Sequence, residues 1–200
     1  MNCLEDNEQF DDVIFTDECS VHLEKHAKLC FLRRWEQPKL KGRAKHPFKV
    51  HIWANISKRG ATRVIIFSGN MDSTFYVNEI LEKTFLPFIN SRFPDGHRFQ
   101  QDNDLKHTSC LAQDFMTWSG INWWKTPPES PDLNPVKLIW HKLKHFLRTT
   151  EKPSTKDELL SGITRFWQER MTAEKCTKYI KHLQKVVPLV VRRQGRASGH

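Results

Sequence analysis

The chain has 200 residues, seven Trp and thirteen Phe among them, and 28% of its residues are charged. That length and apolar content suit a folded domain with a real core and exclude a disordered chain. A formal charge of +9 makes a polyanion the first partner to consider, nucleic acid above all, with a merely basic protein as the bland alternative.

Residues 1–12 are acidic and polar and read as an N-terminal extension. "DDVIFTDECS" (11–20) is apolar on both faces until Asp17, which predicts a buried strand ending in an acid. "LCFLRRWEQPK" gives a weaker strand that runs into a loop. Residues 33–47 hold six Lys/Arg against one Glu, with two Pro and a Gly, a basic and turn-rich excursion. "KVHIWANIS" and "RVIIFSG" are β-branched and aromatic runs around "KRGAT", the pattern of a hairpin.

"DSTFYVNEILEKTFLPFINSRF" places Phe75, Ile80, Leu81 and Phe85 at helical spacing, with a break expected at Pro87. "GHRFQQDND" is a second short strand ending in acids. "HTSCLAQDFMTWSG" is a helix closed by Gly120, and "INWWK" is a brief strand before a Pro-rich connection. "NPVKLIWHKLKHFL" opens a helix with Asn134 as cap and Pro135 at the first helical position. Val136, Ile139, Trp140, Leu143 and Leu147 form its core stripe. Thr155 and Glu158 suit a capping box for a helix to about Arg170, and a last helix spans about Ala173 to Val191. The order predicts a mixed α/β domain over 13–150, helices on both sheet faces, with trailing C-terminal helices and a basic tail over 151–200.

Lys137 is an oddity at the start of its helix. It occupies the third helical position, where a carboxylate would meet the positive end of the helix dipole. Lys137, His141, Lys144, His145 and Arg148 recur at one- and two-turn spacings as a basic stripe. The stripe reads either as a phosphate-contacting face or as a solvated helix surface. Arg33, Arg34, Lys39, Lys41, Arg43 and Lys45 of the basic loop likewise suit DNA contact or an exposed charged loop. Thr108 or Ser109 suits helix capping or phosphate contact, and Trp53, Trp123, Trp124, Trp140 and Trp167 suit packing. Cys3, Cys19, Cys30, Cys110 and Cys176 are odd in number and never in C-x-x-C spacing, which argues for a reducing compartment. No apolar run is long enough for a membrane span and no signal-like segment opens the chain, so an intracellular protein is expected.

"FTDE", "HIWANISKRGAT", "FQQDND", "KHTS" and "TPPESPDLNP", in that order, resemble the catalytic domain of Tc/mariner-superfamily transposases. The likeness runs from about Val13 to the final helix. It implies an RNase H-like fold, a nuclear location, and a DDE endonuclease and strand transferase that cleaves and integrates DNA with two divalent metals, magnesium or manganese. The metal-binding catalytic acids it implies are Asp17 and Asp102. The third acid, two residues beyond "SPDLNP", falls at Lys137. Thirty-four residues separate Asp102 from Lys137, the gap this branch carries, so the position fits and only the acid is missing. Leu105 is a lesser departure, standing where relatives tend to have Pro.

Two metals clamp the attacking and leaving oxygens of a phosphodiester displacement, and such hard cations want carboxylate oxygens. Lys137 instead supplies a cation with no lone pair. No Asp or Glu occurs from Leu133 to Thr150, and Glu151 lies fourteen residues on, roughly 20 Å along a helix. The expectation is a domain that has lost catalysis and retains DNA binding, with Lys137 ion-paired to Asp17 or Asp102 in place of a metal. A non-catalytic protein-interaction or structural module is the alternative. The relatives' two N-terminal helix-turn-helix modules are not expected in this chain, so its DNA binding should be mostly electrostatic. The 33–47 loop is also the candidate contact for a homodimer.

Overall fold

The computed structural model describes residues 8–23, 35, 47–125 and 133–193. Most of the basic loop, with Arg33, Arg34, Lys39, Lys41, Arg43 and Lys45, lies outside the described residues, as do the expected weak strand and the Pro-rich connection.

β1 (Val13–His22) is the centre of a mixed sheet of order β3-β2-β1-β5. It pairs antiparallel with β2 (Lys49–Ser57) and parallel with β5 (Arg98–Gln100). β2 turns through Lys58 and Arg59 into β3 (Gly60–Ala61), with Gly60 at φ +116°, a conformation that favours a residue without Cβ. β4 (Ile65–Phe67) returns along β2, completing the expected hairpin. The short strand expected after Gly120 is reduced to one parallel bridge, Phe99 to Trp123.

One expectation needs correction. β1 does not end at Asp17, because Glu18 to His22 continue in register against Trp53 to Lys49. Asp17 is therefore a mid-strand residue, opposite Ala54. The apolar run stops at Asp17 because burial stops being apolar there, while backbone pairing continues.

Alternation along the sheet sorts two cores. Val13, Phe15, Val21 and Ile52 face α5 (Val136–Phe146), α6 (Lys156–Arg170) and α7 (Ala173–Lys181). Ile14, Trp53 and Phe99 face the helical stretch of Tyr76–Phe85 and α4 (Cys110–Trp118). Leu159, Ile163, Phe166, Trp167 and Ile180 share the first core with β1, so the trailing helices pack on the sheet.

Pro87 does not break its helix. α1 (Ser73–Phe75), capped by Asp72, passes into a π-helical stretch over Tyr76–Phe85 and then α2 (Leu86–Arg92). Pro87 falls in the first turn of α2, just beyond the widened turns, where the Leu86 N–H already bonds to the Leu81 carbonyl five residues back. A missing N–H is tolerated at such a register change. After β5, the short α3 (Leu105–Thr108) starts two residues earlier than expected and is capped by Asp104, and Ser109 caps α4. Gly120 closes α4 at φ +68°. The Thr155–Glu158 capping box forms in full. The expected last helix is two, α7 and α8 (Leu183–Arg192), meeting at His182. Among the described residues no helix is long and apolar enough to cross a membrane.

Candidate metal and nucleic-acid site

Asn134 joins the two elements that matter most. Its Oδ1 accepts from the Val136 N–H at 3.1 Å and its Nδ2 donates to the Thr16 carbonyl at 2.8 Å, so the start of α5 is tied to β1 beside Asp17. Val136, Ile139, Trp140, Leu143 and Leu147 are all buried, as the stripe predicts. Trp140 Nε1 then donates to Asp17 Oδ2 at 3.0 Å.

Asp102 follows β5, the parallel neighbour of β1, and so comes close to Asp17. Carboxylate oxygens of Asp17, Glu18 and Asp102 all lie within 4.8 Å of one another. Glu18 has no mark of its own in the sequence, since the third-acid position points to the Lys137 helix and not to β1. β1 thus adds a carboxylate to the pair from the residue next to Asp17, while the Lys137 helix itself offers none. The only signal was its adjacency to Asp17, and neighbouring strand residues ordinarily point to opposite faces.

His107 locks two of these acids. Its Nδ1 lies 2.6 Å from Asp102 Oδ1 and its Nε2 3.0 Å from Glu18 Oε1. Lys106 Nζ approaches Glu18 Oε1 at 3.5 Å and Asp104 Oδ2 at 2.7 Å. The Tyr76 ring packs 4.4 Å from the His107 ring, and its hydroxyl bonds to Gln101. Burial opposes charge on His107, but the bonds to Asp102 and Glu18 outweigh it and raise its pKa to about 9. The imidazolium thus donates from both nitrogens at neutral pH. Asp102 is held down at about 2, chiefly by that bond.

Asp17 goes the other way. Burial lifts its pKa to about 7, the charge of Lys137 opposes the rise, and Glu18 and Asp102 add to it. Lys137 itself is exposed in the first turn of α5, a turn with no acid. The expected ion pair is not formed: among the described residues no carboxylate lies within ion-pairing reach of Lys137, and its influence on Asp17 is longer-ranged. An exposed lysine at a helix start keeps its ammonium in water instead of desolvating it. His141 and Lys144 are also exposed on α5, as is Arg148 in the π-helical turn Leu147–Glu151 that continues it.

The raised Asp17 pKa has a measurable consequence. A carboxyl whose folded pKa exceeds its unfolded value destabilises the fold as pH rises from about 4 towards 7. One pKa unit is worth about 1.4 kcal/mol. Asp17→Asn keeps an acceptor for Trp140 and removes the buried charge. Chemical denaturation in chelator is expected to show it up to about 4 kcal/mol more stable than the parent at pH 8 and equal to it near pH 4. A stability gain unchanged with pH would show that Asp17 does not titrate in this way.

Residues 12–160 match the family model described as DDE superfamily endonuclease. The chain belongs to that family. This DDE-family domain is 33% identical over 99 residues to the Tcb1 transposase of Caenorhabditis briggsae, covering 50% of this chain and 36% of that protein. It is 30% identical over 120 residues to the Tc3 transposase of Caenorhabditis elegans, covering 60% and 36%. The chain thus spans little more than a third of these relatives. Among solved structures, the Mos1 mariner paired end complex with Mn superposes with a TM-score of 0.79 at 13% identity, over 96% of this chain and 58% of that one. The isolated catalytic domain of Mos1 mariner transposase gives 0.72 at 12%, over 96% and 87%. The fold is therefore RNase H-like, a mixed sheet with flanking helices.

Proposed function

We propose that this DDE-family domain binds DNA through its basic surface and has lost metal-dependent strand cleavage. The observation that carries the reading is Lys137: an ammonium in the first turn of α5, on the helix that Asn134 and Trp140 fasten beside Asp17. The resemblance puts the third carboxylate at that position. The net charge of +9 supports DNA as the partner, and Mos1 is known in a complex with its transposon end.

The donor set fits one divalent ion. Asp17, Glu18 and Asp102 would hold it, as hard carboxylate oxygens within 4.8 Å of one another. It would supply Lewis-acid polarisation of a phosphoryl oxygen. The set does not fit two ions, because His107 and Lys106 already engage Glu18, and a third cation, Lys137, adds its charge at longer range from Asp17. Burial favours the protonated form of Asp17, raising its pKa to about 7, and Trp140 holds the group in place.

The test is a plasmid-nicking assay alongside a binding titration. The protein is expected to bind duplex DNA at low salt, to release it steeply as salt rises, and to leave supercoiled plasmid intact with magnesium or manganese. Efficient magnesium-dependent nicking would refute the loss of catalysis, and failure to bind at low salt would refute the partner.

A further inference from the structure

The distal part of the basic stripe does not face open water alone. A pocket of about 120 Å³ lies between the end of β1 and the C-terminal end of α5 with the π-helical turn that follows it, lined among others by Ser20, His22, Lys144 and Arg148, with Leu147 and Leu159 as apolar walls. No carboxylate lines it. Among the described residues neither Lys144 nor Arg148 has an acid within ion-pairing distance, and Lys144 rests against the Cys19 thiol.

The backbone of β1 adds donors. The Leu23 N–H bonds to the Phe48 carbonyl at 2.8 Å, one step beyond the His22–Lys49 pair. Antiparallel ladders alternate, so odd-numbered β1 residues aim their backbone groups at β2 and even-numbered ones at the opposite edge. Thr16 obeys this, its carbonyl accepting from Asn134 on that edge. β5 pairs with β1 only as far as Phe15. The amides of Ser20 and His22, with their carbonyls, therefore point to an edge that no strand covers among the described residues, and both residues line the pocket. Outward amides beside two cations and no acid make an anion seat.

We propose that this pocket seats a phosphodiester group of a bound DNA strand, an inference that rests on the DNA-binding reading above. Two rulers place it relative to the acids. Ser20 is three strand residues beyond Asp17, and Lys144 seven helical residues beyond Lys137, each about 10 Å. α5 and β1 run alongside each other over that distance, from the Trp140–Asp17 bond to the Lys144–Cys19 contact. A DNA strand advances about 3.4 Å per phosphate along the duplex axis and further along its own winding path, so the seat takes a phosphate at most about three nucleotides from the one beside Asp17 and Asp102.

The experiment measures binding of a random-sequence DNA duplex by fluorescence anisotropy between about 50 and 200 mM salt. It compares the parent chain with Lys144→Ala/Arg148→Ala, with Lys144→Arg/Arg148→Lys, and with Lys178→Ala/Lys181→Ala on α7. Loss of one phosphate contact lowers the salt slope by about one, so the charge-removing pair should lose about threefold less affinity than the parent across that salt range. At the low-salt end it should bind about tenfold more weakly. The charge-conserving pair is expected to keep the parent's slope. An equal deficit in the α7 pair would indicate diffuse attraction and overturn the seat. Tight binding by the parent with no change in Lys144→Ala/Arg148→Ala overturns the seat and leaves DNA binding standing, whereas a parent that binds no DNA overturns both. Inorganic phosphate that raises the Tm of the parent but not of the alanine pair, with equal DNA affinity, assigns the pocket to a free anion and also overturns the seat. Circular dichroism of the variants excludes misfolding as the cause of a deficit.

Discussion

Lys137→Glu is expected to convert a weak, single-ion site into one that magnesium or manganese stabilises strongly. Without metal the variant should be less stable than the parent above neutral pH. Asp17 then loses the α5 charge that favours its ionised form through space, and gains a like charge in its place. With metal the order reverses, because a carboxylate on the first turn of α5 joins Asp17, Glu18 and Asp102. A ligand present at about 100 times its Kd adds roughly 2.7 kcal/mol of stability. Thermal denaturation against manganese concentration reads this directly: a rising Tm in the variant and a small response in the parent. Equal responses in the two proteins would mean that position 137 lies outside the metal centre. Nicking gained by the variant alone would place the loss of catalysis at this residue, while nicking at the parent's level in both would count against it.

The sheet, the hairpin and both core faces were legible because alternation and β-branched runs report burial directly. The α5 stripe was legible for the same reason, and so was the capping box at Thr155, whose two halves are local in sequence. Interruptions were read less well. Pro87 looks like a helix breaker by its ring and missing N–H, yet the π-helical stretch before it changes the bonding register and admits it. Asp17 looked like a strand end because apolar character stops there, although backbone pairing does not. In the candidate site, Asp17 and Asp102 carried a pattern along the chain, but Glu18 and His107 acquire their meaning only across it. Their bond links residues 89 positions apart, and neither spacing nor periodicity announces it. Lys137 is the reverse case, a local electrostatic fault at a helix start that sequence shows plainly and whose setting only the fold supplies.

His107→Ala is expected to be the most destabilising single change at this site. Two carboxylates that share one imidazolium would be left facing each other, with Lys106 as the remaining nearby cation. Removing one partner of a buried ion pair costs about 3–5 kcal/mol. Asp102 is largely exposed and water can take up part of its charge, so a loss of about 2–3 kcal/mol is expected by urea denaturation at pH 6. The pH dependence distinguishes this from lost packing against Tyr76. A histidine whose folded pKa is raised from 6.5 to about 9 contributes stability that is complete below about 6.5 and disappears as pH rises through 9. The parent should therefore weaken between those limits, and above about pH 8, where Asp17 has finished titrating, the parent should still decline while His107→Ala is flat. His107→Gln fills part of the space and keeps a donor but no charge, so it should recover some stability and none of the pH dependence. A parent and an alanine variant that decline in parallel from pH 6.5 to 9 would show that the charge on His107 does not hold Glu18 and Asp102 together.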